Sequence, residues 1–372
     1  MRFSTLMKHP ADWMTPKSID NSIVVTSRIR LARNLRDVPF PGWARKKERV
    51  KVHSLIRTEV DSLSVMKQGF AHEFCELDQL QKQVLVERHL ISREQAARND
   101  GASAVIDRRQ RLSLMVNEED HLRMQSIFAG MDLHKAYKLL SKVDTELEEK
   151  LPFAYDSRLG YLTACPSNLG TGLRASAMLH LPALVLSEQI GQVLQAVSKI
   201  GLAVRGLYGE GTESLGHLFQ ISNQSTLGET EEEVINRLDR VLTQVSNHEL
   251  NAREKLLEEK EMFVADKVGR GYGLLKHAQV IDSKEAFNEI SLLRLGAALG
   301  FFDREVMAQC DSWLLDIQPA HLQLHAKKEL DAHERDAIRA EILRERLHSL
   351  DAPRKNKVSK QEKGDEQTPD LI

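Results

Sequence analysis

The run Cys165-Pro166-Ser167-Asn168-Leu169-Gly170-Thr171-Gly172-Leu173-Arg174 constrains this chain more than any other stretch. Two glycines and a proline among small polar residues exclude a regular helix or strand, so the run is a tight loop. The backbone N–H groups of such a loop turn inward readily and cradle anions. A cysteine opens the loop and an arginine closes it. The next run, Ala175 to Leu186, reads as a helix whose N-terminus would add to an anion site. The spacing matches neither the G-x-x-x-x-G-K-[ST] phosphate loop nor the G-x-G-x-x-G dinucleotide loop. Taken alone, a surface turn explains the loop as well as an anion cradle does.

Three other segments carry chemistry. Ile23 to Thr26 is β-branched and continues into Ser27-Arg28-Ile29-Arg30-Leu31-Ala32-Arg33. In an extended chain Arg28 and Arg30 share one face, and Ile29 and Leu31 share the other. Two neighbouring cations repel unless a polyanion sits between them; a solvated edge strand is the other reading. The segment Asn117-Glu118-Glu119-Asp120-His121-Leu122-Arg123 sets three carboxylates in a row. That is costly unless they are hydrated, bind metal or face cations. An acid-rich helix N-terminus is the alternative, with a helix following. Finally, Leu202-Ala203-Val204 is a short strand that ends in Arg205-Gly206-Leu207-Tyr208-Gly209-Glu210-Gly211-Thr212-Glu213. Its three glycines imply a mobile loop with Arg205 at its base.

The remaining patterns set the architecture. Lys46 to Met66 is amphipathic, with Val50, Val52, Leu55, Ile56, Val60 and Leu63 as its inner positions. Leu80 to His89 is another helix, and a lone His such as His89 is more often structural than functional. Ala102 to Ile106 and Leu112 to Asn117 pair around the basic turn Asp107 to Arg111, read as a solvated hairpin tip. Asp132 to Leu151, Ser187 to Ile200 and Glu229 to Lys260 are helices. From Ser283 strands cease, and helical periodicity runs through Ala286 to Phe301, Arg304 to Ile317 and Pro319 to Leu347. In the last of these, Arg335 and Arg339 are spaced i,i+4 on one face, as in any salt-bridged surface helix.

The sequence therefore predicts an α/β (α+β) fold. An N-terminal arm covers residues 1–20, with Trp13 packing it onto the body. A catalytic domain with a mostly antiparallel sheet flanked by helices covers 21–265. An all-helical C-terminal domain covers 266–350, and a disordered Lys/Glu/Gln/Pro-rich tail covers 351–372. Lys plus Arg (52) and Asp plus Glu (54) nearly balance, so nothing global points to nucleic acid. No apolar run approaches the ~18 residues of a membrane span, and the N-terminus lacks a signal-peptide core. Cys75, Cys165 and Cys310 are far apart and odd in number, which fits a reducing, cytoplasmic setting with no disulfide framework and no protein metal site.

The loop Cys165 to Arg174 resembles the cysteine signature loop of the phosphagen (ATP:guanidino) kinases. Ser27-Arg28-Ile29-Arg30-Leu31 resembles their Ser-Arg-x-Arg phosphate-binding strand. Asn117 to Arg123 is identical to the acidic motif of creatine and arginine kinases. In those enzymes a helical domain of roughly a hundred residues precedes the Ser-Arg-x-Arg strand and closes over a small substrate; here 26 residues precede Ser27. Together with Tyr208-Gly209-Glu210 and Arg335-Asp336-Ala337-Ile338-Arg339-Ala340, this is similar to the protein-arginine kinase branch, over about residues 20–348.

The resemblance implies ATP with Mg2+ as phosphoryl donor and arginine side chains of proteins as acceptors. It places ATP on Ser27, Arg28, Ile29, Arg30, Leu31, His89, Arg123, Arg174, Ala175, Ser176, Ala177, Met178, Arg205, Gly206, Leu207, Tyr208, Gly209 and Glu210. Glu119 is expected to orient the acceptor guanidinium and take its proton, supported by Glu118 or Asp120. Cys165, as a thiolate favoured by nearby arginines, is expected near the acceptor. Glu210 or Glu213 would grip its far side. Arg335 to Ala340 would bind phosphoarginine as an allosteric signal. The family further implies a homodimer, a zinc-binding activator of the McsA type, a CtsR-like stress repressor as target, and the ClpC–ClpP protease downstream. A small-molecule guanidino kinase and a non-catalytic phosphoarginine-binding adaptor are the rival readings.

Overall fold

The computed structural model describes residues 1–14, 23–206 and 214–354. The strands are β1 (Val24–Arg33), β2 (Phe70–Glu73), β3 (Ser103–Ile106), β4 (Leu112–Val116), β5 (Leu122–Ala129), β6 (Tyr155–Asp156), β7 (Gly160–Tyr161), β8 (Leu173–His180), β9 (Leu202–Gly206) and β10 (Leu218–Asn223). The pair β6 and β7 forms a separate ribbon; the rest make one eight-stranded sheet in the order β2-β3-β4-β5-β1-β8-β10-β9. Every pairing in it is antiparallel.

The helices are α1 (Phe3–Lys8), α2 (Lys46–Ser62), α3 (Gln79–Glu87), α4 (Arg93–Ala96), α5 (Leu133–Glu148), α6 (Pro182–Leu186), α7 (Ile190–Lys199), α8 (Glu231–His277), α9 (Ser283–Ala298), α10 (Glu305–Asp316), α11 (Pro319–Ala326) and α12 (Ala332–Arg346).

The period-two pattern of β1 sets the two faces of the sheet. Ile29 and Leu31 stand opposite Ala175 and Leu173 of β8, and Leu31 also faces Met124 of β5. Ala177, Leu179, Phe219 and Ile221 continue this apolar face. It packs on α5 and α8 in one core with Ala136, Leu140, Val143, Ile235, Leu238 and Leu242. Each fully buried Leu or Ile stabilises the fold by roughly 1.5–3 kcal/mol. The opposite face carries Arg28, Arg30, Arg123, Gln125, Arg174, Ser176, Gln220, Ser222 and Arg205. The sheet is thus an apolar wall behind a cationic one.

Several sequence expectations are corrected here. Residues 175–180 form the central strand β8 rather than a helix. Ala, Met and Leu favour helix intrinsically, but the alternation of Arg174, Ser176 and Met178 against Ala175, Ala177 and Leu179 matches the two sheet faces, and pairing on both sides overrides propensity. The acidic segment 117–120 is the turn between β4 and β5, with Asn117 at φ 56°, and a strand follows it rather than a helix. On α2, Val50 and Leu55 are exposed, and His53 takes an inner position beside Val52, Ile56 and Val60. Pro319 to Leu347 is two helices, because Lys327 turns left-handed (φ 56°) and Asp331 caps a new start.

Residues 1–14 pack onto the body. Leu6 is fully buried with Phe70, Phe74 and Leu85. The hairpin tip that read as solvated is covered by them: Gln110 is buried and its Nε2 donates to the carbonyls of Leu6 and His9, while Arg108 and Arg109 stay in water.

Beyond the sheet, α8 carries the chain straight through residue 265, with a break in helical geometry at Lys260 (φ −140°, ψ 35°). The same core continues into α9, α10 and α12. A buried polar cluster joins sheet to helices. His180 Nε2 and His217 Nδ1 each lie 2.7 Å from Ser291 Oγ, and Arg294 binds Asp311 at 2.8 Å. Burial pushes His217 down to about 4, so it stays neutral. Among the described residues no helix is long and apolar enough to cross a membrane.

Arg33 ends β1 and ties three layers. Its guanidinium donates to both carboxylate oxygens of Asp144 (3.0 and 2.6 Å) and to Thr171 O, and lies 3.5 Å from the Tyr161 ring centre. Removing one partner of a buried pair leaves the other uncompensated, at a cost of about 3–5 kcal/mol. Arg33→Ala is therefore expected to lower the urea-unfolding free energy by about that amount, and a loss under about 1 kcal/mol would contradict this role.

Candidate active site

The cationic face of the sheet floors a cleft of about 820 Å3. Arg28 and Arg30 come from β1, Arg123 from β5, Arg174 from β8 and Arg205 from β9. Arg30 stands directly opposite Arg174 across the β1–β8 ladder. Like charges placed so are destabilising. Burial, then Arg123 and Arg174, push Arg28 down to about 10. Burial and the same crowding by arginines depress Arg30 further still. Few local partners relieve them: Arg28 donates to Gln220 Oε1 and Arg174 to Ser222 Oγ, each at 3.1 Å. The Nε atoms of Arg30 and Arg174 are buried without a hydrogen-bond acceptor. Such an array has room and donors for a polyanion with several oxygens.

The three consecutive carboxylates divide. Glu118 is fully buried; burial alone would raise its carboxyl, but Arg123, bound through Nη1 at 2.7 and 2.8 Å, and Ser92 Oγ at 2.5 Å hold it below its ordinary value. Asp120 is also buried and accepts from Asn34 Nδ2 (2.6 Å) and the Ala164 N–H (2.7 Å). It pins the segment leading to Cys165. Glu118 and Glu119 both line the cleft, and of the three only Glu119 is exposed. Burial, then Asp120 and Glu118, push its carboxyl upward.

The glycine loop lies at the side of the cleft, where Cys165, Ser167, Asn168 and Gly172 border a recess shared with Arg30, Glu119, Arg123 and Arg174. Cys165 Sγ is 3.0 Å from Ser167 Oγ. Gly172 is required: at φ +66° a Cβ would sit 2.6 Å from Ala32 O. Thr226 Oγ1 holds the loop through the carbonyls of Ser167 and Leu169. Because β8 follows, the loop presents no helix N-terminus.

His89 follows α3 in a left-handed turn (φ 56°) and lines the cleft beside Met178. Burial, then Arg28, drive it down to about 4, so it is neutral at physiological pH. Ser27, Ile29, Leu31, Ala175 and Ala177 are buried on the back of their strands, and Ser27 Oγ donates to Gly130 O. They position rather than face the cleft. Ser176 is buried on the cation face, and Gly206 lines the cleft. Leu207, Tyr208, Gly209, Glu210 and Glu213 lie outside the described residues. The 335–340 motif does not join the cleft. Arg339 is buried and donates to the carbonyls of Ile281 and Ile317 and to Asp336; Arg335 is half-buried and donates to Leu330 O. Ala337 and Ile338 are half-buried on the same helix, and Ala340 is buried.

Sequence reasoning missed Asn34, Ser92, Gln220 and Ser222, which orient the charged groups. Their types carry no signal, since only the register of strands far apart in sequence brings them there.

Glu118→Gln leaves Arg123 without its counter-charge and is expected to cost about 3 kcal/mol at pH 7. The native carboxyl sits below its ordinary 4.5. Its charged form therefore contributes stability above that value and loses it as pH falls through the lowered one. Urea unfolding at about pH 7 and about pH 3 checks this, since the gap between wild type and variant should narrow at the lower pH.

Residues 51–252 match the ATP:guanido phosphotransferase C-terminal catalytic domain, and residues 261–358 match the protein-arginine kinase McsB C-terminal domain. A protein-arginine kinase of Moorella thermoacetica is 44% identical over 92% of this chain and 98% of its own length. One of Halothermothrix orenii is 43% identical over 92% and 97%. Among solved structures, lombricine kinase aligns with a TM-score of 0.56 at 26% identity, covering 67% of this chain and 72% of that one. A substrate-free duplicated taurocyamine kinase of Schistosoma mansoni shares the fold at a TM-score of 0.58 and 24% identity, covering 78% and 50%.

Proposed function

The chain belongs to the protein-arginine kinases, a branch of the ATP:guanidino phosphotransferases, and from that premise we propose how its cleft performs the transfer. ATP lies across the cationic face. Arg28, Arg30, Arg123, Arg174 and Arg205 bind its phosphates as forks, and the neutral His89 with Met178 flanks the rest of the nucleotide. Among the described residues no group of three or more His, Cys, Asp or Glu is placed to hold a metal ion. Mg2+ would thus be held mainly by the phosphates and water, where it supplies charge neutralisation.

The acceptor is an arginine side chain of a protein. Its guanidinium has a pKa above about 12, so its nitrogen lone pair is unavailable until a proton is drawn away. Glu119, the one member of its trio not locked in a buried contact, orients that group and takes the proton. The nitrogen attacks the γ-phosphorus in line, the N–P bond forms, the bond to the β-phosphate oxygen breaks, and ADP leaves. Glu118 holds Arg123 on the phosphates, and Asp120 fixes the Cys165 loop beside the reacting groups. Glu210 or Glu213 completes the acceptor site. The observation that carries this reading is the opposition of five convergent arginines to the one carboxylate of the acidic turn that is not locked in a buried contact.

Beyond chemistry, the family resemblance supports a wider reading. The helical portion beyond the break in α8 mediates dimerisation, and Arg335 with its neighbours senses phosphoarginine. A McsA-like activator, a CtsR-like target and the ClpC–ClpP protease then place the reaction in cytoplasmic stress-linked protein degradation.

The test is mass spectrometry of a substrate protein incubated with the chain and Mg-ATP, kept at neutral or basic pH because the N–P bond is acid-labile. One added phosphoryl group on arginine, absent with free arginine as sole acceptor, is expected. Transfer to free arginine instead would return the reading to a small-molecule kinase. Glu119→Gln should lose about 10²–10⁴-fold in kcat while the nucleotide Kd stays within about twofold. Turnover near wild type in that variant would remove Glu119 from the proton-taking role.

A further inference from the structure

We propose that Trp43 and Glu94, which line the same cleft, receive the acceptor arginine of the protein substrate and set acceptor affinity; this rests on the kinase reading above. Trp43 is 90% exposed, whereas Trp13 and Trp313 are 9% and 4% exposed. A scattered exposed apolar side chain needs no explanation. Trp43 differs in two respects.

First, it lines the same cleft as Glu119, together with Phe40 and Gly42. Second, its loop is rigidly built rather than loosely draped. Pro39 and Pro41 flank Phe40. The N–H groups of Trp43 and Ala44 both donate to Phe40 O at 2.9 Å, and Arg49 Nη1 donates to Ala44 O at 2.6 Å.

The loop is also anchored to the reacting end of the site. His121 Nδ1 accepts from the Leu35 N–H, which leaves the ring proton on Nε2, and Nε2 donates to Pro39 O at 2.9 Å. The His121 ring meets Phe40 edge-on at 6.0 Å. His121 lies two residues after Glu119 on the same hairpin turn. One turn thus presents the carboxylate and fixes the aromatic loop, so the spacing between them is preset.

The Glu94–Glu119 side of the cleft differs from the phosphate end in carrying exposed carboxylates beside an aromatic ring. Arg28, Arg30, Arg174 and Arg205 would repel a guanidinium. Glu94, exposed on α4, lines the cleft near Glu119, and its charge adds to the upward push on the Glu119 carboxyl. Arg93 and Arg98 border this end too, but Arg98 Nη2 is taken by Glu118 O. An indole face and carboxylates are what a planar cation prefers: the ring attracts it through its quadrupole and the carboxylates pair with its N–H groups. With its backbone already fixed by hydrogen bonds, an exposed Trp loses only side-chain freedom on binding.

The experiment measures acceptor KM, kcat and ATP Kd for wild type, Trp43→Ala, Trp43→Phe and Glu94→Gln with a casein acceptor. Trp43→Ala and Glu94→Gln should raise acceptor KM about tenfold with ATP Kd unchanged within about twofold, and Trp43→Phe should recover most of the loss. In parallel, the tryptophan emission of the wild-type protein with ADP should shift on adding an acetyl-Gly-Arg-Gly amide but not its lysine counterpart, and Trp43→Phe should abolish the shift. Wild-type transfer with an unaltered KM in Trp43→Ala, or no emission change, overturns the inference and leaves the kinase reading intact. An arginine-specific emission shift without any transfer to protein arginine supports the inference and overturns the kinase reading.

Discussion

Arg30 and Arg174 face each other on neighbouring antiparallel strands, and the site depends on the sheet's ability to hold those two like charges together. Two more cations, Arg28 and Arg123, crowd the same face. Left to themselves these side chains would splay into water. They are held because Ile29, Leu31, Leu173 and Ala175 on the reverse of the same strands are buried against α5 and α8, and no slip of register is tolerated there. The apolar wall supplies the free energy that offsets the electrostatic cost of the cationic one. A polyanion entering the cleft then meets donors already in place, and its binding relieves repulsion instead of ordering a floppy surface.

The same economy governs the acidic turn. Three adjacent carboxylates could not all ionise freely in one pocket. Glu118 is paired with Arg123, Asp120 accepts from a backbone N–H and the Asn34 amide, and Glu119 is the one of the three left exposed in the cleft. Asn34 is central to this arrangement. Its Nδ2 donates to Asp120 and Leu162 O while its Oδ1 accepts from the His121 N–H. The end of β1, the acidic turn and the approach to the glycine loop are thereby one rigid body. A carboxylate held this way keeps its geometry when a ligand enters the cleft.

The helical C-terminal portion is not an appendage. Ser291 and Arg294 of α9 close on His180 at the end of β8. At the far wall, Glu87 near the end of α3 accepts from the Ala320 and His321 N–H groups and caps α11, two residues before His89, which lines the cleft. The His321 ring adds contacts to Glu87 and to Arg88, so α11 is tied to the end of α3 just before His89. Arg339 holds α12 to the carbonyls that end the α8–α9 connection and α10, so a ligand competing for that guanidinium would loosen the same helices.

The local chemistry was legible in the chain itself. Arg28 and Arg30 alternate with Ile29 and Leu31, which fixes a strand with one cationic face; the glycines at 170 and 172 demand a loop; Glu118 to Asp120 cannot lie idle at a strand end. Those are consequences of bonded geometry and charge, readable within a few residues. Tertiary structure decided the rest. Whether residues 175–180 are helix or strand depended on β1 and β10 pairing on either side, which outweighs local propensity. Which of the three carboxylates stays free depended on Arg123 at the start of β5 and on Ser92, Asn34 and Ala164, contributed by three other segments. The burial of Gln110 depended on Leu6 and His9, and that of Arg339 on Ile281 and Ile317. Apart from the Glu118–Arg123 pair these are contacts between residues distant in sequence, and such contacts leave no period and no spacing to read. The chain alone thus determined which groups could carry the chemistry; only the packed sheet decided which of them are free to do so, because burial and pairing consume charge one partner at a time.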